Sequence, residues 1–384
     1  MRIETVMIEN INGIKALNLN FSSRMNIICG MNGVGKSTIL EVISQAFSYS
    51  SNSKIRRNAR AVKGVAKVVV DGEASSLDIS AFQPHDSQRE SIRAVGESLK
   101  LLYIKDIRSI EYQRLNGILP DEERTENTYM LQLMNGVSSN TIKSWLSNRI
   151  LFEGQGRFSE AEIHNLNVAK RCFSILDKSV EFSHLDHTRF DLMVNTSRGE
   201  IYFEYLSSGF KSVFFILLGL IKEIEFNSYP KVKVSDFDGV ILIDEADSHI
   251  HPYWQAPLLE ALRTIFSNAQ IIITTHSAHM IQAAESEELI PLGLDDNNEV
   301  IRLETIKSEY GFKGWTVEEI LEDVMGLNET RSNDYINIRK DFEDALENED
   351  YEKATEAFGI LNKMLHPRSP MRKIFEIQLG SLGD

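Results

Sequence analysis

The chain has 384 residues, 42% of them hydrophobic, and a formal net charge of −15. That length and apolar content support one large or two medium domains around a buried core. The acidity excludes a bulk nucleic-acid coater but leaves room for a local basic surface, and the lack of an apolar run of about 18 residues excludes a membrane-spanning helix. The two cysteines, Cys29 and Cys172, argue against a disulfide framework and for the reducing cytoplasm. The acid in Met1-Arg2-Ile3-Glu4-Thr5 argues against a signal peptide.

Residues 1–29 read as a β unit. Val6 and Ile8 alternate with polar neighbours, Asn12-Gly13 makes a turn, and Leu17, Leu19 and Phe21 alternate again. Met25-Asn26-Ile27-Ile28 is a buried strand that leads into Cys29-Gly30-Met31-Asn32-Gly33-Val34-Gly35-Lys36-Ser37-Thr38. Ile39-Leu40-Glu41-Val42-Ile43 follows with helical spacing. Strand, Gly-x-x-x-x-Gly-Lys-Ser and helix form a phosphate-binding P-loop in its expected context. Gly30, Gly33 and Gly35 let the backbone turn its N–H groups inward, and the helix start adds its positive end. Lys36 would reach the β- and γ-phosphates of ATP, and the Ser37 hydroxyl would ligate Mg²⁺.

After this helix the densest basic stretch of the chain runs from Lys54 through Arg56, Arg57 and Arg60 to Lys63 and Lys67. Two readings stay open: a phosphate-contacting surface for nucleic acid, or a solvated hairpin face. Val68 to Gly72 is a strand entering a turn, residues 73–100 read as loop, and Leu101-Leu102-Tyr103-Ile104 is a buried strand. Arg108, just beyond it, either aims a cation into a site or lies on the surface. Residues 128–180 are helical, with Trp145, Ile150, Leu151 and Phe152 in one apolar group and Ala161, Ile163, Leu166, Ala169 and Phe173 in another. Two strands around the turn Thr196-Ser197-Arg198-Gly199 come next.

Ser207-Ser208-Gly209 opens the apolar helix Val213 to Ile221, which makes an anion site or a plain helix cap. Gly239-Val240-Ile241-Leu242-Ile243-Asp244-Glu245 is an apolar strand ending in two acids, the Walker B pattern. Asp244 would hold Mg²⁺ and Glu245 would polarise the attacking water. The core strand Ala269 to Ile273 ends in Thr274-Thr275-His276-Ser277, where His276 is placed to sense the γ-phosphate. His249, His251, His276 and His279 lack the spacing of a zinc enzyme.

In this order the motifs resemble the ATP-binding-cassette ATPase heads of the RecF, SMC and OLD kind. Leu206-Ser207-Ser208-Gly209 looks like the family signature, Asp244 to Pro252 looks like the Walker B and D-loop of the RecF and OLD branch, and His276 matches the switch histidine. The resemblance implies an α/β P-loop ABC-type head with a mixed sheet, spanning 1–285 with a short helical insert at about 128–180. It implies a homodimer, possibly a higher oligomer, that sandwiches ATP, with Ser207, Ser208 and Gly209 of one copy touching the γ-phosphate on Gly30–Ser37 of the other. A Q-loop glutamine is implied too, and Gln83, Gln88 and Gln113 all remain candidates. Residues 286–384 carry no Toprim or H-N-H set and are expected to be a mainly helical extension. Its Trp315 to Leu327 segment and the helical hairpin beyond resemble the tails of stand-alone OLD-like ATPases of bacterial anti-phage defence, the Septu and retron-associated ATPases among them, with PARIS similar in plan. Those ATPases restrain a separate effector nuclease or toxin. A RecF-like clamp on DNA through Lys54, Arg56, Arg57, Arg60 and Lys63 is the alternative.

Overall fold

Parallel strands buried on both faces carry the site. The computed structural model describes residues 1–48, 54–86, 99–108, 110–117, 120–121, 124–139, 141–304, 309–327 and 330–382. The chain opens with β1 (Ile3–Ile11), β2 (Ile14–Asn20), β3 (Met25–Gly30) and helix α1 (Lys36–Gln45). Strands β4 (Gly64–Val70), β5 (Glu73–Ile79) and β6 (Leu101–Ile104) follow. Then come helices α2 (Glu126–Asn135), α3 (Ile142–Phe152) and α4 (Glu160–Cys172), and strands β7 (Glu181–Leu185), β8 (Leu192–Thr196) and β9 (Gly199–Tyr202). The long helix α5 (Ser208–Asn227) leads to β10 (Val240–Ile243), α6 (Pro252–Ile265), β11 (Gln270–Thr275), α7 (Ala278–Gln282), β12 (Leu289–Leu294) and β13 (Val300–Arg302).

The central sheet has the order β13-β12-β3-β11-β10-β6, and only β13 runs antiparallel to its neighbour. Every residue of β3, β6, β10 and β11 is buried, which is why these strands read as continuous apolar runs rather than alternating ones. Because β3, β11 and β10 are parallel neighbours, their C-terminal ends meet at one sheet edge. The P-loop, the Thr274–His276 tip and Asp244–Glu245 are therefore brought side by side.

A second sheet, β2-β1-β4-β5, is antiparallel and alternates buried and exposed residues along β1, as in Val6 and Ile8. Gln270, at the start of β11 and fully buried, joins it to the central sheet. Its Oε1 accepts from the Ile3 amide at 2.7 Å, and its Nε2 donates to the carbonyls of Ile3 and Ser22 at 2.8 and 2.7 Å. Such a side chain is tolerated in a core because its polar atoms are satisfied.

Helices α3 and α4 lie against α5, the helix that begins at the signature residues. Buried ion pairs tie this layer together. Lys143 of α3 reaches Asp191 at 2.6 Å and Glu204 at 2.7 Å, and Glu225 of α5 accepts from Trp145 Nε1 at 3.1 Å and pairs with Arg149. Burying such charges is tolerable only with partners on both sides, so the pairs fix the register of helix on helix.

Residues 327–384 form a separate unit of helices α8 (Asn333–Glu347), α9 (Tyr351–Met364) and α10 (Met371–Gly380). Its small core holds Phe342, Leu361 and Phe375, with the two phenyl rings 5.3 Å apart edge to face.

The structure departs from the sequence reading in two stretches. Glu73–Ile79, read as loop, is strand β5 paired with β4. Its buried face is Ser75, Leu77 and Ile79, so serine masks the alternation. Residues 289–302, read as part of a helical extension, are β12 and β13 of the central sheet, and the division between units falls after Gly326 rather than at 285. Pro291 and Gly293 argue against a strand in sequence. Pro291 fits because its carbonyl still accepts from the Leu303 amide at 2.9 Å. Among the described residues no helix is long and apolar enough to cross a membrane.

Candidate active site

The loop between β3 and α1 is built by glycine. Gly30 stands at φ 139°, and a Cβ there would lie 2.2 Å from the Leu292 carbonyl oxygen, so no side chain fits. Gly35, at φ 91°, is the N-cap of α1, and no side chain caps that helix. Its first N–H groups are therefore left for a ligand, with the positive end of the helix behind them. A cavity of about 520 Å³ lies there, lined by Asn32, Gly33, Gly35, Lys36, Ser37, Thr38, Glu245 and His276. Val34 is buried and packs in the core instead of lining the cavity. Thr38 accepts from Asn12 Nδ2 at 3.2 Å, which ties the β1–β2 turn to the loop.

Lys36 is 5% exposed and folds over its own loop. Its ammonium donates to the carbonyls of Gly30 and Met31, each at 2.8 Å, and lies 3.1 Å from His276 Nδ1. Burial is the main cause that pushes its pKa down to about 8, against the pull of Asp247, Glu245 and Asp244. Cys29 beneath it is pushed up to about 12 by burial and stays a neutral thiol. Burial, and then the charge of Lys36, also lower the pKa of His276 from its ordinary value, so the ring is neutral at pH 7. His276 Nδ1 faces the Lys36 ammonium, and Nε2 lies 3.9 Å from Glu245 Oε1.

Asp244 is 4% exposed, and its Oδ1 accepts from Ser37 Oγ at 3.0 Å and Thr274 Oγ1 at 2.6 Å. A carboxylate beside a hydroxyl is the hard oxygen set that Mg²⁺ takes. Thr274 Oγ1 also accepts from the Glu245 amide at 2.7 Å. Glu245 itself stands at φ 45°, a left-handed conformation that non-glycine residues rarely adopt. Asp247 accepts from Thr275 Oγ1 at 2.6 Å and from the His276 amide at 3.2 Å.

The expected signature residues lie elsewhere. Ser207, Ser208 and Gly209 line a second cavity with His249, Ile250, His251 and Trp254. None of them lines the cavity over the P-loop. A Cβ on Gly209 would lie 2.8 Å from the Trp254 ring, so the helix start and the D-loop pack without slack.

Of the glutamines considered for a Q-loop, Gln83 and Gln113 are exposed, and Gln88 lies outside the described residues. Neither of the two described lines the P-loop cavity. The basic stretch is mostly occupied internally. Arg56 donates to the carbonyls of Ile55 and Pro84, and Arg57 donates to Ala61 and stacks on Phe82. Lys63 pairs with Asp78 and Lys54 with Glu41, while Arg60 is exposed. Sequence reasoning assigned no role to Thr274, Asn12 or Asp247. The run of hydroxyls before His276 was the one available signal for Thr274, since a threonine at a parallel-strand tip faces the neighbouring strand's acid.

Two family models match the chain, one described as an AAA domain, putative AbiEii toxin of a type IV TA system, over residues 121–281, and one as an AAA domain over residues 5–197. A Septu protein PtuA of Bacillus thuringiensis is 42% identical over 389 residues, spanning 99% of this chain and 98% of its own length. A retron Ec83 probable ATPase of Escherichia coli is 31% identical over 110 residues, 28% of this chain and 20% of its own. Among solved structures, the SMC head domain from Thermotoga maritima covers 79% of this chain and 100% of its own at 15% identity, with a TM-score of 0.42. Identity of 42% along nearly the full length of both chains shows that this chain belongs to the family of the Septu protein PtuA.

Proposed function

We propose that the protein is a dimeric ATPase of the cytoplasm that binds and slowly hydrolyses ATP, and that it scaffolds and restrains a separate effector nuclease in bacterial anti-phage defence. The observation that carries the dimer is the split of the motifs. The P-loop, Walker B and His276 share one cavity while Ser207, Ser208 and Gly209 line another. A head-to-tail second copy supplies each half with the other. Gly30, Asn32, Gly33, Val34, Gly35 and Thr38 shape the phosphate loop, and Lys36 leaves its carbonyl partners for the β- and γ-phosphates. Ser37 and Asp244 are the residues to hold Mg²⁺, which when bound neutralises phosphate charge. Glu245 accepts a proton from the attacking water, and neutral His276 orients it through Nε2. The chain itself carries ATPase chemistry and no nuclease.

The test is recovery of tagged Glu245→Gln from its native cells with ATP and Mg²⁺, reading bound protein and nucleic acid together. Stoichiometric recovery of a nuclease or toxin is the expected result. Recovery of DNA with repair proteins and no effector refutes the scaffold and makes the protein a RecF-like clamp.

A further inference from the structure

Arg108 follows β6, the strand next to β10, and is 7% exposed. Its Nε donates to the Lys105 carbonyl at 3.0 Å. Its Nη2 donates to the main-chain carbonyl of Asp244 and, at 3.0 Å, to that of Glu245. Nη1 is buried without a hydrogen-bond partner among the described residues. Burial lowers the pKa to about 10, against the pull of Asp244 and Asp247, so the group is charged at neutral pH.

The direction of these bonds is informative. A buried guanidinium normally takes a carboxylate. This one spends its bonds on main-chain carbonyls, two of them in the residues that carry the acids of the site. Those carbonyls belong to a turn in which Glu245 is held at φ 45°. A non-glycine residue stays there only where its surroundings impose it. The opposite side of the turn is fixed by Thr274, through the Glu245 and Ala246 amides. Arg108 and Thr274 thus grip one peptide segment from its two polar sides.

We propose that Arg108 is a positioning residue for ATP hydrolysis: its Nη2, shared between the Asp244 and Glu245 carbonyls and steadied by the Nε bond to Lys105, fixes the Asp244–Glu245 turn so that the Glu245 carboxylate faces the attacking water. The inference rests on the reading of Glu245 above. It predicts that Arg108→Ala loses turnover and keeps nucleotide. The kcat should fall by about 10²-fold, the scale of a misplaced catalytic group. The Kd for a fluorescent ATP analogue should stay within about twofold, because Arg108 does not line the phosphate cavity. Guanidinium ion added at concentrations far below denaturing should restore part of the Arg108→Ala rate and none of the Glu245→Gln rate. Arg108→Lys keeps the charge without the Nε anchor to the Lys105 carbonyl and should show an intermediate loss.

Wild-type turnover in Arg108→Ala, or in Arg108→Lys should the alanine variant not fold, overturns the inference. So does a fall in kcat matched by an equal fall in ATP affinity with no response to guanidinium, which marks a merely structural residue. Glu245→Gln separates the two levels. If it turns over like wild type, the reading of Glu245 itself fails. If it stalls while Arg108→Ala runs at the wild-type rate, only the role of Arg108 fails.

Discussion

Thr274→Val isolates the hydrogen bonds that hold Walker B. The threonine is fully buried, and valine matches its shape, so the change removes a hydroxyl and leaves no cavity. Two bonds are lost. One is charge-assisted, from Oγ1 to Asp244 at 2.6 Å, and the other comes from the Glu245 amide at 2.7 Å. A bond to a charged group contributes about 1.5–3 kcal/mol, and an orphaned buried amide costs about 1–3 kcal/mol. Allowing for relaxation, the expected destabilisation is roughly 3 kcal/mol. Thr274→Ser retains the hydroxyl, loses one methyl group and should cost only about 1 kcal/mol. Urea unfolding of the nucleotide-free protein reads both values, and the difference of about 2 kcal/mol between the variants is the quantity of interest. The same pair should separate in activity. With Asp244 released from its donor, Thr274→Val should need more Mg²⁺ for half-maximal ATP hydrolysis, and Thr274→Ser should not. Equal stability in the two variants, with the same Mg²⁺ requirement, refutes the account of the three-way bond.

Three other outcomes follow from the same geometry. Ser207→Arg should bind ATP with wild-type affinity yet fail to form a closed dimer, because bulk and charge enter the surface meant for the other copy's phosphate; a closed dimer seen by light scattering with ATP refutes the trans contact. Gln270→Leu should lose roughly 3 kcal/mol in urea unfolding, since it leaves the Ile3 amide and the Ile3 and Ser22 carbonyls without their buried partner; a loss below about 1 kcal/mol would show that water replaces the clamp. Arg56→Glu combined with Arg57→Glu should lower stability by about 2 kcal/mol, through the carbonyls that these side chains satisfy; an unchanged melting curve with a salt-sensitive loss of DNA binding would return the stretch to nucleic acid.

What the sequence reveals here is what is local. Gly30 to Thr38 is legible because strand, loop and helix are contiguous, and each residue type answers a steric or chemical demand made within ten positions. The strand before Asp244 and the one before His276 are legible because burial on both faces leaves an unbroken apolar run. The missed features depend on register between distant segments. Thr274 matters because β11 lies beside β10, which places its hydroxyl against a residue 30 positions away. Gln270 reads as an ordinary polar residue at a strand start until Ile3 and Ser22 arrive from the other end of the chain. Strand β12 is hidden by Pro291 and Gly293, and only its place beside β3 makes it a strand. The partners of the basic stretch are hidden for the converse reason. Charge density in sequence says nothing of the carbonyls and carboxylates that fold back onto it.

One short turn joins the two cavities. At its start Asp244 and Glu245 face the P-loop, and at its end His249 to His251 face the signature residues. Between them each anchor is tight. Asp247 takes the Thr275 hydroxyl and the His276 amide, the Ser248 carbonyl accepts from Ser212 of α5 at 3.2 Å, and Gln255 bridges the Ile250 carbonyl to the Ser277 hydroxyl. These bonds tie the turn to β11 on one side and to α5 on the other. Gly209 is where the path meets α5, and there a Cβ would lie 2.8 Å from the Trp254 ring. On the proposed reading, a nucleotide that favours one arrangement of the Asp244–Glu245 turn would bias the position of Ser207–Gly209 in the same chain only by as much as its affinity differs between the two arrangements.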